Sequence, residues 1–245
     1  MRVRLAVGIL IVQLFCVQAA LAEPASGPRE DVDQSYTTTA PGTATGVGFS
    51  GRYHAAGDPS GNPPFLYSMS FHPPAGFRYD TSVPDRCTAT DAQLSALGPA
   101  ACPPGSQIGT GTVDGIFFFP FSEEVFDRYH HNVYILNNEN EQIILVESEG
   151  FTVVRGRIQP DGSIDMPTTT CFPAPPPGVA CADDYIMQLG TDSLIPRYVR
   201  AGRSYATTPP TCPATRYWNT TVHYEWSDGS VDDVVSRQPC RPRPR

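Results

Sequence analysis

Two adjacent histidines, His130 and His131, and a scatter of carboxylates carry the richest chemistry in this 245-residue chain. Adjacent residues on a strand point to opposite faces, so the two imidazoles cannot hold one ion together and read as ordinary strand residues. Glu123, Glu124, Glu147, Glu149 and Asp183 could furnish the acid–base pair of a glycan-acting hydrolase if two of them met about 5–10 Å apart in a cleft. Asp161-Gly-Ser163-Ile-Asp165 and Asp228-Gly-Ser230-Val-Asp232-Asp233 set carboxylates at alternate positions, hard oxygen donors of the kind that suit Ca²⁺. Asp-Gly is also the strongest short signal for a hairpin turn, and no twelve-residue loop ending in Glu follows, so a turn accounts for both segments first. The sequence contains no G-x-S-x-G, H-E-x-x-H or G-x-x-x-x-G-K-[ST] element. Gly109-Thr-Gly111 lacks the third glycine of a dinucleotide loop and reads as the entry to a strand. No catalytic, cofactor or metal ligand is assigned. The chain reads as a binding or structural module, with an extracellular hydrolase as the alternative.

The compartment follows from the N-terminus and the cysteines. Arg2 and Arg4, the apolar run Leu5 to Val17 and Ala20-Leu21-Ala22 have the order of a signal peptide over 1–22, with cleavage before Glu23. The apolar run is shorter than the ~20 residues that span a bilayer. Cleavage removes Cys16 and leaves Cys87, Cys102, Cys171, Cys181, Cys212 and Cys240, an even set that reads as a disulfide framework in an exported chain. Six cysteines allow fifteen pairings; the simplest is sequential, with 87–102 around a short helix, 171–181 closing a Pro-rich loop and 212–240 bracketing a hairpin. Loss of Arg2 and Arg4 takes the formal net charge from −8 to −10, a poor match to a phosphate backbone, so nucleic acid is not an expected partner. All 17 basic residues are Arg, which excludes lysine nucleophiles and Schiff bases.

Short apolar runs separated by Gly, Pro, Asn and Asp then predict an all-β, antiparallel, disulfide-stabilised sandwich, Ig-like or jelly-roll-like. Strands are expected near Phe65–Phe71, Ile108–Val113, Ile116–Phe121, Asn132–Leu136, Gln142–Val146, Phe151–Ile158, Ser163–Met166, Tyr217–Trp226 and Ser230–Ser236. In the first of these Phe65, Tyr67, Met69 and Phe71 share a face. Asn137 to Glu141 reads as a five-residue hairpin loop. One short helix is expected over Thr90–Leu97, capped by Thr90 or Asp91 and ended by Gly98; a second is allowed over Ser122–His131, where Val125, Tyr129 and Val133 recur at four. Residues 23–46 hold few bulky apolar groups and read as a flexible leader, 47–240 as one domain and 241–245 as a disordered tail. In Tyr217–Trp226, Trp218, Thr220, Val222, Tyr224 and Trp226 share a core face, while Tyr217, Asn219, Thr221, His223 and Glu225 share a solvated one. Such aromatics can also form a carbohydrate or peptide platform, and Asn219-Thr-Thr221 has the form of a glycosylation sequon.

Cys102-Pro-Pro-Gly-Ser-Gln-Ile-Gly-Thr-Gly-Thr-Val113, Thr207-Thr-Pro-Pro-Thr-Cys-Pro213, Trp218 and Trp226-Ser-Asp-Gly-Ser230 to Gln238-Pro-Cys240 together resemble a group of secreted proteins of high-GC Gram-positive (actinobacterial) bacteria. That group carries a CPxxSxIGTGT element and a TTPxxCP…W…DGS…QPC element. Here Pro-Pro-Gly stands where small residues are commoner. The resemblance implies an exported β-sandwich in the medium or envelope and brings no catalytic residues with it. The expected partner is an envelope glycan or protein, met by a monomer through its loops or a sheet face.

Overall fold

The structure is a computed structural model that describes residues 28–119, 124–168, 170–171 and 184–242. The signal segment 1–22 therefore lies outside the described residues. Along the chain run β1 (Glu30–Tyr36), β2 (Ala44–Thr45), β3 (Val47–Tyr53), β4 (Leu66–His72), β5 (Arg78–Tyr79), helix α1 (Asp91–Leu97) and β6 (Gln107–Phe118). There follow β7 (Val125–Asn138), β8 (Glu141–Glu147), β9 (Phe151–Ile158), β10 (Ile164–Pro167), β11 (Ile186–Ile195), β12 (Val199–Arg200), β13 (Arg203–Ser204), β14 (Ala206–Thr207), β15 (Tyr217–Trp226) and β16 (Val231–Pro239).

The antiparallel all-β prediction holds, and its layers are the two sides of one continuous sheet. Eleven strands pair in the order β1-β3-β11-β6-β7-β8-β9-β10-β4-β15-β16. The sheet curls until its edges meet. The Gln34 backbone N–H donates to Ser236 Oγ at 2.9 Å, Ser236 Oγ–H donates back to the Gln34 carbonyl at 3.3 Å, and Arg29 reaches Asp228 at 2.9 Å. Contacts of this kind cover the two edge strands, β1 and β16, through which sheets otherwise aggregate. Gly109 and Gly111 allow the bend: a Cβ at Gly111 would sit 2.1 Å from the Asp192 carbonyl, and one at Gly109 would sit 2.7 Å from that of Leu194.

Residues 30–46 correct the flexible-leader expectation. β1 pairs with β3 along its whole length, and β2 joins the small sheet β2-β14-β5. The strand carries no apolar alternation because its inward positions are Glu30, Val32, Gln34 and Tyr36, half of them polar. At the other terminus the Arg241 backbone N–H donates to the Thr39 carbonyl, so the expected tail is anchored at its first residue; 243–245 lie outside the described residues.

The expected helix forms. Thr90 Oγ1 accepts from the Gln93 N–H while Gln93 Oε1 accepts from the Thr90 N–H, a reciprocal capping box, and Gly98 ends the helix at φ +58°. Leu94 packs on the outside of the sheet with Leu136, Ile143 and Leu145. The second helix does not form: Val125–His131 belong to β7, where β6 offers partners from Phe118 back to Gln107 and outweighs a weak four-residue period; 122–123 lie outside the described residues. The Asn137–Glu141 loop is tighter than expected. β7 runs to Asn138 and β8 starts at Glu141, because Asn140 adopts φ +52° and buried Asn137 donates to the Thr81 and Asp85 carbonyls. In β4 the expected face shifts. A bulge opposite Glu225/Trp226 exposes Tyr67 and turns Leu66 inward, leaving Met69 and Phe71 as expected.

Cys87–Cys102 and Cys212–Cys240 are disulfides, as the sequential scheme has them. The partner proposed for Cys171, Cys181, lies outside the described residues. Two disulfides point to an oxidising compartment, and among the described residues no helix is long and apolar enough to cross a membrane.

Candidate functional site

Inside the curled sheet the two ends differ. One end is plugged by an aromatic stack. Tyr36 and Phe77 lie 5.1 Å apart, Phe77 and Tyr79 5.1 Å, Tyr79 and Tyr205 5.4 Å, and Tyr36 meets Trp218 at 6.0 Å. Gln142 Nε2–H donates to the Tyr205 hydroxyl at 3.0 Å, which satisfies both groups in the core. The other end is hollow. A cavity of about 980 Å³ lies between β4, β6, β7, β8, β9, β10 and β11, and its inner wall includes Val113, Val133, Ile144, Val146, Val154 and Met166. Strand alternation explains that wall, since every second residue of each strand faces inward. A smaller cavity of about 100 Å³ shares Met69, Val133, Ile144, Met166 and Thr191 with it and continues toward Gln34 and Gln142. The larger volume lies at the upper end of the range in which drug-sized ligands are held.

The cavity rim mixes apolar and acidic groups. Phe119 and Phe126 pack edge to face at 5.0 Å and are exposed, 43% and 63% respectively. Asp127, Glu147 and Glu149 are the carboxylates of the lining. Within the wall, Phe117, Tyr129 and His131 form an aromatic tier, with Phe117–Tyr129 centroids at 4.6 Å and Tyr129–His131 stacked at 4.9 Å.

The two histidines separate as strand geometry requires. His131 turns inward; His130 faces out and its Nδ1 lies 2.6 Å from Asp114 Oδ1. Among the hydrolase carboxylates, Glu123 and Asp183 lie outside the described residues, and Glu124 and Glu149 stand at the β6–β7 and β8–β9 connections. Glu147 accepts from Asn132 Nδ2 at 3.0 Å and from the Tyr134 hydroxyl at 2.8 Å, and these bonds hold its carboxyl below the usual range. A general acid needs the opposite shift. The calcium-type segments are used as turns. Asp161 Oδ1 accepts from the Ser163 N–H and hydroxyl, and Asp228 Oδ1 does the same for Ser230. Asp58 and Ser60, and Asp80 and Ser82, repeat the arrangement, so Asp-x-Ser is this chain's recurring loop device. Among the described residues no three His, Cys, Asp or Glu side chains gather as a metal-binding group. The Trp218–Trp226 face is buried as expected, which leaves Tyr217 as the exposed aromatic of that strand.

Among the described residues the structure brings together a buried carboxyl pair that nothing in the sequence signalled. Glu30 of β1 meets Asp232 of β16 at the seam, beside Arg29, Tyr53, Tyr224 and Trp226. Burial, then the charge of Asp232, pushes the Glu30 carboxyl up from 4.5 to about 7. A carboxyl held above its unfolded value stabilises the fold fully below about pH 4.5, and that contribution is lost as pH rises through 7. Glu30→Gln is therefore expected to remove a penalty on the order of 2–3 kcal/mol at pH 8 and to change little at pH 4.5. Urea unfolding at pH 4.5, 6.5 and 8 measures this; equal stability of variant and parent at pH 8 would refute the assignment.

No family model matches the chain, and neither the curated proteins nor the solved structures include a significant match to it.

Proposed function

We propose that the protein is an exported binding module and that its ligand is a predominantly apolar small molecule held in the cavity between β6 and β11. The signal-type segment, the disulfides and the resemblance to secreted actinobacterial proteins support export. The cavity supports binding: about 980 Å³ with a largely aliphatic and aromatic inner wall, carried on paired strands rather than loops. Such a wall offers transfer from water worth roughly 25 cal/mol per Å² of apolar surface, without the directional demands of a polar substrate. The few polar groups in it are left to orient the ligand.

The test is titration of the purified protein with the neutral fluorophore N-phenyl-1-naphthylamine. Saturable enhancement of one equivalent is expected. Val146→Trp combined with Thr152→Trp, both on the cavity wall, is expected to weaken it by about tenfold or more, the equivalent of ~1.4 kcal/mol. Enhancement that is absent, or that survives the double substitution in a folded variant, would remove the cavity as the site.

A further inference from the structure

The two compartments of the interior meet at a waist. Met69, Val133, Ile144, Met166 and Thr191, from β4, β7, β8, β10 and β11, line both the large volume of about 980 Å³ and the small one of about 100 Å³. Three of the five are β-branched and stiff at χ1, whereas a methionine turns about three bonds and adapts its shape. The waist therefore yields at Met69 and Met166, which are ladder partners in β4 and β10 and stand side by side on one face. Met69 is the held member of the pair: it is 5% exposed, and its Sδ accepts from the Tyr53 hydroxyl at 3.5 Å. Met166 is half-buried and lies over Gly156 of β9, where a Cβ would come 3.1 Å from its terminal methyl. With no side chain at that position, Met166 keeps room to move.

Beyond the waist the small compartment ends on Tyr79 of the aromatic plug. Its described lining holds no charged side chain; Gln34, Gln142, Thr191 and Ser193 are the polar members, and Gln142 is already bonded to the Tyr205 hydroxyl. Asp127, His130, His131, Glu147 and Glu149 all belong to the large compartment. A charged group is penalised past the waist, so an amphipathic ligand enters with its apolar end first. An unbranched chain is one methylene wide along its length, and moving a thioether is enough to admit it. A branched chain also requires the stiff members of the waist to give, and forcing extra volume into a packed interior is unfavourable.

Resting on the binding function above, we infer that the ligand carries an unbranched alkyl chain whose end passes Met69 and Met166 into the small compartment. Met166 is the residue that selects linear over branched chains.

Displacement of N-phenyl-1-naphthylamine at pH 7.5 by 4-n-octylphenol and by its branched isomer 4-tert-octylphenol tests this. The two share a head group, a charge state and a carbon count. The linear isomer is expected to displace the fluorophore at a concentration about tenfold or more below that of the branched one. In Met166→Ala, which widens the waist, the ratio is expected to fall to about threefold or less. In Ile164→Phe, which fills the small compartment from its own wall, the linear isomer is expected to weaken about tenfold and the branched one by less than about twofold. Equal displacement by the two isomers in the parent protein would overturn the inference and leave the cavity as an apolar site without selection for chain shape. An unchanged ratio in Met166→Ala with its near-ultraviolet circular dichroism intact, or equal weakening of both isomers in Ile164→Phe, would overturn it as well. Failure of the fluorophore to bind the parent protein would instead overturn the binding function, and this inference with it.

Discussion

Replacing Trp226 by alanine is expected to destabilise the fold by about 3–5 kcal/mol, the usual range for deleting a large buried aromatic. The indole is 2% exposed, stacks on Tyr224 at 5.8 Å and meets Tyr53 edge to face at 5.9 Å. Leu66, turned inward by the bulge in β4, lies opposite it in the ladder. Neighbouring strands are held by their pairing and cannot collapse into the void, so the transfer and cavity contributions add. For a domain whose total stability is roughly 5–15 kcal/mol, the loss is a large fraction of the whole. Urea unfolding followed by tyrosine fluorescence measures it, and a loss below about 1 kcal/mol would contradict the packing described. Tyr224 pairs with Met69, which lines the ligand cavity, so the same variant is expected to weaken fluorophore binding while folded.

Removing the Cys212–Cys240 bridge by paired serine substitution is expected to cost about 3–4 kcal/mol. The bridge spans 28 residues, and the chain-entropy account puts a loop of that length in this range. Its position amplifies the consequence. Tyr217 pairs with Pro239 at the base of the β15–β16 hairpin, one residue inside Cys240. β16 has a laddered partner on one side, β15, and meets β1 through Ser236, Gln238 and the Arg29 ion pairs. Loss of the covalent tie is therefore expected to open the seam before the rest of the sheet. Amide hydrogen exchange should speed up in β16 and β1 well before β7 and β8, which lie in the middle of the strand order. Uniform acceleration across all strands would show that the bridge acts on the unfolded chain alone.

The parts of the fold that were legible are those governed by local chemistry. Thr90, Gln93 and Gly98 announce helix α1 because caps answer to near neighbours in sequence. Asp161-Gly162 and Asp228-Gly229 announce their hairpins because only certain residues tolerate a positive φ, here +89° and +79° at the glycines. Alternation over Trp218–Trp226 announces a strand with one wet face. β1 was illegible for the opposite reason: Glu30 and Gln34 are buried by pairing and by the seam, an environment supplied by residues some two hundred positions away.

The candidate site divides in the same way. Strand alternation alone separated His130 from His131, and it stopped there. Which of the two faces inward, and that Tyr129 and Phe117 join His131 in one tier, depends on how β6 and β7 roll within the sheet. A cavity has no sequence motif, because its wall is assembled from residues of seven strands spread from Met69 to Thr191.

The amino-acid sequence by itself pointed to an antiparallel β architecture, its turns, helix α1 and, as the simplest scheme, the Cys87–Cys102 and Cys212–Cys240 pairs, since each is written in residues that act on close neighbours or on a shared hairpin. The tertiary structure decided that the strands close into one curled sheet, that Glu30 faces Asp232 across the seam, and that one end of the interior is packed with aromatics while the other stays open. Those outcomes belong to long-range register and curvature, where small changes in pairing determine which side chains share an interior.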